Sequence, residues 1–273
     1  MDVFEELVRL RRAGQKAALA TIVRVSGSIP SYESAKLLIR DDGSIVGTVG
    51  GGCVEAEVWA AAREVIETEK PRRMSFNLAG DALYDNGLIC GGQLEVFIEP
   101  VLPVQSLYIF GAGHVSLSLS KVASMAGFRT VVIDNRETFA NRERFPEADE
   151  VHAQEYEEIM PKLDVNGSAY LAIVTRGHKD DMRVLRWAVG TPAKYIGMIG
   201  SKRKAIEVFK ELEKEGIGSE RLESVHTPIG LEIGAITPEE IAVSVVAELI
   251  AVRRGVALGS AHAQPLTKSV FAK

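Results

Sequence analysis

The sequence predicts an α/β protein in which a larger C-terminal domain is built on a parallel sheet and a smaller α+β domain precedes it. Three observations predict this. Beyond residue 104, apolar strand-length runs alternate regularly with helix-like stretches, the pattern of a parallel sheet covered on both faces. A glycine turn, Gly111-Ala112-Gly113, joins the first of those strands to the first of those helices. Ahead of that region, Glu99-Pro100-Val101-Leu102-Pro103 marks a boundary, because two prolines so close together disfavour a continuing helix or central strand. The expected domains are residues 1–103 and 104–273.

In the first domain, Asp2 to Ala13 carries apolar residues at Val3, Phe4, Leu7, Val8 and Leu10, the spacing of a helix with one buried face. Ala17 to Val25 reads as a strand, ended by Ser26-Gly27-Ser28-Ile29-Pro30. Leu37 to Arg40 and Ser44 to Val46 flank Asp41-Asp42-Gly43; an Asp-Gly pair between apolar runs signals a hairpin. Gly50-Gly51-Gly52 leads through Cys53 into a helix from Val54 to about Thr68. Arg73 to Leu78 and Leu94 to Ile98 are the remaining strands.

In the second domain, Ser106 to Phe110 is an apolar strand and His114 to Ala126 its helix. Phe128 to Ile133 is the next strand, ending in Asp134. Ala169 to Val174, Tyr195 to Ile199 and a short piece near Val151 are further strands; Met182 to Val189 and Lys202 to Glu215 are intervening helices. The last helix, Pro238 to about Arg253, has Thr237 as N-cap, Pro238 at its first position and Glu240 three residues after the cap, which is a capping box.

Composition narrows the function classes. A hydrophobic share of 46% and a charged share of 25% belong to an ordinary globular protein. A net charge of −5 argues against gripping nucleic acid by an overall field. The start, Met1 to Glu6, is acidic where a secretory signal is basic, and Ile241 to Val252 is too short to span a bilayer. Two cysteines make no disulfide framework. The expected location is the cytoplasm, with neither nucleic acid nor membrane as partner.

The chemistry gathers on turns. Gly111 permits the tight turn, Gly113 lets a phosphate approach the backbone, and the following helix N-terminus attracts anionic charge. Asp134, at the end of the next strand, stands where a carboxylate meets ribose hydroxyls. These features make the domain Rossmann-type, with Ser116 in place of a third glycine. Thr175-Arg176-Gly177-His178 and Gly200-Ser201-Lys202-Arg203-Lys204 follow two other strands, and loops at strand carboxyl ends face the ligand crevice. His114, Arg176 and His178 suit a negatively charged ligand or acid–base work. Ser201 and Lys202 form an anion site at a helix start, while Lys204 is expected on a solvated face. Cys53 and Cys90 sit against glycines, and soft thiolates suit molybdenum, copper or sulfur-bearing ligands. Their spacing fits no zinc motif, and no protein metal site is expected.

These segments together resemble the xanthine dehydrogenase accessory factor family (XdhC/CoxI). In the first domain the likeness rests on Gly27-Ser28-Ile29-Pro30, on Gly47 through Gly50-Gly51-Gly52-Cys53-Val54-Glu55, and on Cys90-Gly91-Gly92 leading to Phe97-Ile98-Glu99-Pro100. In the second it rests on Gly111-Ala112-Gly113-His114-Val115, Asp134-Asn135-Arg136, Arg144-Phe145-Pro146, Thr175-Arg176-Gly177-His178 with Asp181, and Tyr195 through Ser201. Pro228-Ile229-Gly230-Leu231-Glu232-Ile233-Gly234, running into Pro238-Glu239-Glu240-Ile241-Ala242, completes it. The chain departs from the pattern at Ser31-Tyr32-Glu33-Ser34-Ala35-Lys36, where the family carries an arginine and a Gly-Ala pair.

The resemblance implies a chaperone that binds molybdenum cofactor (molybdopterin), assists its sulfuration and inserts it into a xanthine dehydrogenase-type molybdenum hydroxylase. It implies no turnover chemistry, with a cysteine desulfurase and the hydroxylase apoenzyme as partners and a homodimer as the assembly. Gly111, Gly113, His114, Asp134, Arg176, His178, Ser201, Lys202, Cys53 and Cys90 are the candidate cofactor-binding residues. Two other readings stay open: an NAD(P)-dependent oxidoreductase using the glycine turn and Asp134, and a nucleotide-sensing regulatory module.

Overall fold

The computed structural model of the chain describes residues 2–27, 29, 31–78 and 92–256. It divides into two compact units, Met1–Val104 and Gln105–Lys273. Among the described residues no helix is long and apolar enough to cross a membrane.

The first unit is a five-stranded sheet with a helix on each face. Its strands are β1 (Ala17–Ser26), β2 (Lys36–Arg40), β3 (Ile45–Gly47), β4 (Arg72–Asn77) and β5 (Gln93–Val101). They lie in the order β3-β2-β1-β5-β4, every neighbour antiparallel. Side chains alternate across the sheet because the strand period is two. Ala18, Ala20, Ile22, Leu37, Ile39, Val96 and Ile98 pack with Val54, Val58 and Val65 of helix α2 (Gly52–Thr68). Ala17, Leu19, Leu38 and Val101 pack with Val3, Leu7 and Leu10 of helix α1 (Val3–Arg12). Each fully buried Leu or Ile contributes about 1.5–3 kcal/mol.

Helix α1 forms where its ends suit the helix dipole. Asp2 accepts from the Phe4 amide at 3.1 Å, Glu5 and Glu6 stand in the first turn, and Arg9, Arg11 and Arg12 in the last. Glu6 is buried and ties the helix to the sheet: Arg9 Nε donates to it at 2.7 Å and Arg40 Nε, from β2, at 2.6 Å.

Pro100 does not end the strand as expected. β5 runs on to Val101, with Pro100 opposite Ala18 on β1. The partner on its other side, β4, stops pairing at Ile98. Pro100 therefore lies on a locally open edge, where a missing N–H leaves no ladder bond unmade.

The second unit is a five-stranded parallel sheet of β6 (Ser106–Phe110), β7 (Arg129–Asp134), β8 (Glu150–Ala153), β9 (Ala169–Ile173) and β10 (Tyr195–Met198), in the order β10-β9-β6-β7-β8. The chain reverses its direction of travel between β6 and β9, the switch point at which ligands bind in open sheets. Leu107, Ile109, Val132 and Ala172 face helices α3 (His114–Met125) and α8 (Pro238–Arg253). Phe110, Val131, Leu171 and Ile173 face the short α4 (Tyr156–Ile159), α5 (His178–Ala188) and α6 (Lys202–Lys214). A five-residue helix, α7 (Ser219–Glu223), precedes the last connection.

The expected capping box opens α8. Thr237 Oγ1 accepts from the Glu240 amide at 3.2 Å and Glu240 Oε2 from the Thr237 amide at 3.0 Å. Helix α5 begins four residues earlier than its apolar pattern indicates, because Gly177 serves as N-cap and Asp180 and Asp181 favour the first turn. Buried Glu248 of α8 holds the connection before it: His226 Nδ1 lies 2.7 Å from Oε1, while the Tyr195 hydroxyl, at 2.9 Å, and the Gly230 amide donate to Oε2.

The bonds from Arg9 and then Arg40 bring Glu6 from an ordinary 4.5 down to about 2, against the upward push of burial. A carboxylate depressed in the folded state contributes stability that is present above 4.5 and lost as pH falls toward 2. Glu6→Gln is expected to be less stable than wild type at neutral pH. Its urea midpoint is then expected to fall less steeply than wild type between those two pH values. Parallel pH profiles would contradict this role.

Candidate functional site

All the parallel strands of the second unit end on one edge. Phe110 is in register with Ile133 and with Ile173, and Ile173 with Met198. The loops that follow these residues share that edge.

The turn after β6 is the most constrained of them. Gly111 has φ +106°, and a Cβ there would stand 2.5 Å from the Val174 carbonyl oxygen. Only glycine allows β6 and the end of β9 to come this close. The Gly111 amide donates to the Ile133 carbonyl at 2.7 Å. Next, the Ala112 amide donates to Asp134 Oδ2 at 2.8 Å, and the Ala112 carbonyl accepts from Arg144 Nη1 at 3.1 Å. Gly113 then caps α3 without any side-chain bond to the helix amides, and a Cβ at Gly113 would meet nothing within 4 Å. The turn is held from below and open above, as a cradle for an anion requires.

Asp134 ends β7 as expected, but its carboxylate points into structure. It is 2% exposed. Oδ1 accepts from the Arg136 amide at 3.0 Å and from Arg136 Nε at 2.8 Å, and Oδ2 accepts from Arg136 Nη2 at 2.7 Å besides Ala112. Burial pushes the acid upward, but the bonds from Arg136 and from the Ala112 and Arg136 amides outweigh it and hold Asp134 below the usual carboxylate range. The Arg136 guanidinium stacks 3.9 Å from the Phe139 ring centre, and Arg144 lies 4.8 Å from the same ring.

The loop after β9 is held by a second buried acid. Thr175 Oγ1 donates to Asp181 Oδ1 at 2.6 Å, and Lys204 Nζ donates to Asp181 Oδ2. Lys204 thus folds inward, against the expectation of a solvated face, because fully buried Asp181 needs a counter-charge. The pair joins the β9 loop to α6. Gly177, at the N-cap of α5, has nothing within 4 Å of where a Cβ would stand, and no side chain caps that helix.

His114 and His178 are the first residues of α3 and α5, both exposed on this edge. Arg176 is exposed as well, 3.9 Å from Asp180. None of the three is hydrogen-bonded to another among the described residues. Ser201 caps α6, accepting from the Lys204 amide at 3.3 Å. The backbone of Lys202 opens that helix; its side chain lies outside what the structure describes.

In the first unit, Gly50, Gly51 and Gly52 all have positive φ. Cys53 falls inside the first turn of α2 rather than ahead of it, and is half-buried. Glu55 steadies the loop: its Oε2 accepts from Thr48 Oγ1 at 2.7 Å and from the Val49 and Gly51 amides at 3.3 Å. Gly51 and Gly52 have open space where side chains would stand. Cys90 lies outside the described residues. Lys36, the cation in the departing stretch, donates to the Ser34 carbonyl at 3.0 Å and lies 5.7 Å from the Phe4 ring of α1. Among the described residues no cluster of three or more His, Cys, Asp or Glu is placed to hold a metal.

The residues alone give no role to Arg136, Arg144, Asp181 or Lys204 in shaping the edge. The first three stand in the motifs quoted for the resemblance, which is where a signal lies. Lys204 has none, because its partner is 23 residues away.

Residues 107–249 match the family described as XdhC Rossmann domain, and residues 10–77 the XdhC and CoxI family. Over 254 residues, 93% of this chain, the sequence is 34% identical to the uncharacterized protein YqeB of Escherichia coli; the chain spans 46% of that relative's length. It is 24% identical to a Bacillus subtilis protein described as a probable xanthine dehydrogenase subunit, covering 89% of this chain and 95% of that one. It is 23% identical to the molybdenum cofactor insertion chaperone PaoD of Escherichia coli, covering 88% and 85% respectively. A crystal structure of a xanthine dehydrogenase from Bacillus halodurans shares the fold, with TM-score 0.52 at 24% identity over 98% of this chain and 99% of that one.

Removing the acid under the turn is expected to be severe. Asp134→Ala leaves the Ala112 amide unpaired and Arg136 without its counter-charge, and should destabilise the unit by about 3 kcal/mol in urea unfolding. A loss below about 1 kcal/mol, the size of an exposed pair, would mean that the carboxylate does not hold the turn.

Proposed function

The chain belongs to the XdhC and CoxI family, and from that premise we propose that it is an accessory protein for molybdenum enzymes. It binds molybdenum cofactor in the cytoplasm, assists its sulfuration and delivers it to the apoenzyme of a xanthine dehydrogenase-type hydroxylase. A cysteine desulfurase and the hydroxylase are its partners, and a homodimer its working form. The observation that carries this reading is the likeness to a molybdenum cofactor insertion chaperone across 88% of the chain.

The residues present suit the group. When bound, the cofactor supplies a phosphate and a metal held by dithiolene sulfurs. Within the second unit, Gly113 opens α3 with free space where a Cβ would stand, and a helix N-terminus favours an anion. His114, Arg176 and His178 stand on the same edge with charge or hydrogen-bond capacity, and Ser201 and Lys202 open the next helix along it. Gly111 keeps the turn's shape, and Asp134 acts on the ligand only through that turn. Within the first unit, Cys53 offers a soft sulfur donor on a glycine loop with open space at Gly51 and Gly52. Cys90 is proposed as a second thiol on sequence grounds alone. None of these residues is asked to turn over substrate.

The test is activation of a partner hydroxylase in cells that make molybdenum cofactor, with and without this chain. Wild type should raise hydroxylase activity, and Cys53→Ala, at equal abundance, should lose most of that gain. No gain from wild type would contradict the accessory reading. Full activation by the variant would remove Cys53 from it.

A further inference from the structure

The order of the parallel sheet implies a dinucleotide, with pyrophosphate at the N-terminus of α3 and the adenosine ribose on an acid at the end of the next strand. Asp134 stands at that position, yet it is not in the state that role needs. A ribose diol donates two O–H groups, so the receiving carboxylate must carry open acceptor sites. An ionised carboxylate has about four. In Asp134 all are filled: the Arg136 amide and Nε at 3.0 and 2.8 Å on Oδ1, the Ala112 amide and Arg136 Nη2 at 2.8 and 2.7 Å on Oδ2.

Two of those donors belong to one planar guanidinium, paired fork to fork with the carboxylate, the strongest geometry for such a pair. The same guanidinium is stacked at 3.9 Å on Phe139. A ribose reaching Asp134 would have to displace a bidentate charged donor with two neutral hydroxyls, and break the stack as well. The ribose diol of NAD therefore finds no open acceptor on Asp134.

We propose that Arg136 sets the ligand class of the crevice. By filling Asp134 it removes the acceptor for a ribose diol, so the crevice binds NAD weakly and its ligand is held by contacts other than that diol. This inference does not rest on the molybdenum reading; a carrier of another phosphate-bearing ligand would have the same exclusion.

Calorimetric titration of the full chain with NAD tests it. Wild type is expected to show affinity no better than about millimolar, the weak end of specific binding. Arg136→Ala should expose the Asp134 carboxylate and tighten NAD binding at least about tenfold, or 1.4 kcal/mol. Arg136→Lys keeps the charge but offers a point donor instead of a fork, and should give a smaller gain in the same direction. Thermal melts establish that each variant is folded, and the wild-type titration stands even if neither is. Micromolar NAD binding by wild type would overturn the proposal, as would a folded Arg136→Ala that binds NAD no better than wild type.

Discussion

Asp134 bonds to the Ala112 amide across the carboxyl edge of the parallel sheet, and the ligand-facing side of the second unit depends on that bond. It fixes the middle of the glycine turn to the end of the adjacent strand. Gly111, pressed against Val174, fixes its beginning, and Arg144 holds the Ala112 carbonyl. With the turn held at these points, Gly113 caps α3 with no side-chain hydrogen bond and open space where a Cβ would stand. A buried carboxylate is costly unless its acceptor sites are filled. Arg136 fills the rest, which is also what takes Asp134 out of reach of a ligand.

The same device recurs through the molecule. Glu55 gathers Thr48, Val49 and Gly51 ahead of Cys53. Asp181 joins Thr175 to Lys204. Glu248 binds Tyr195, His226 and the Gly230 amide. Each acid anchors a loop that contains glycine, and Glu248 stays below the usual carboxylate range because these bonds outweigh its burial. Glycine provides the backbone freedom that a close approach needs, and the acid removes the excess of it. Loops held in this way are prepared for a ligand without having to be ordered by it.

The architecture was legible in the sequence because periodicity is a local property. The parallel strands read as continuous apolar runs, and Thr237, Pro238 and Glu240 mark the start of the last helix by local chemistry alone. What stayed hidden was pairwise and distant. Pro100 looked like a strand end because sequence does not show that β4 stops two residues short of it. Lys204 looked solvated because nothing near it in sequence reveals the buried Asp181. Asp134 was located correctly, but the direction of its carboxylate depends on Arg136 and Ala112 together. Position along an edge follows from pattern; whether a side chain faces the ligand or the structure does not.

The proposal joins an open glycine turn, exposed histidines and an arginine on one edge of the second unit with a thiol at a glycine loop of the first. The most direct measurement is the metal and pterin content of the protein purified from cells that make molybdenum cofactor. The account predicts molybdenum and oxidised-pterin fluorescence in near-equal amounts, approaching one per chain. Protein that carries nicotinamide dinucleotide instead, with no pterin, would contradict it.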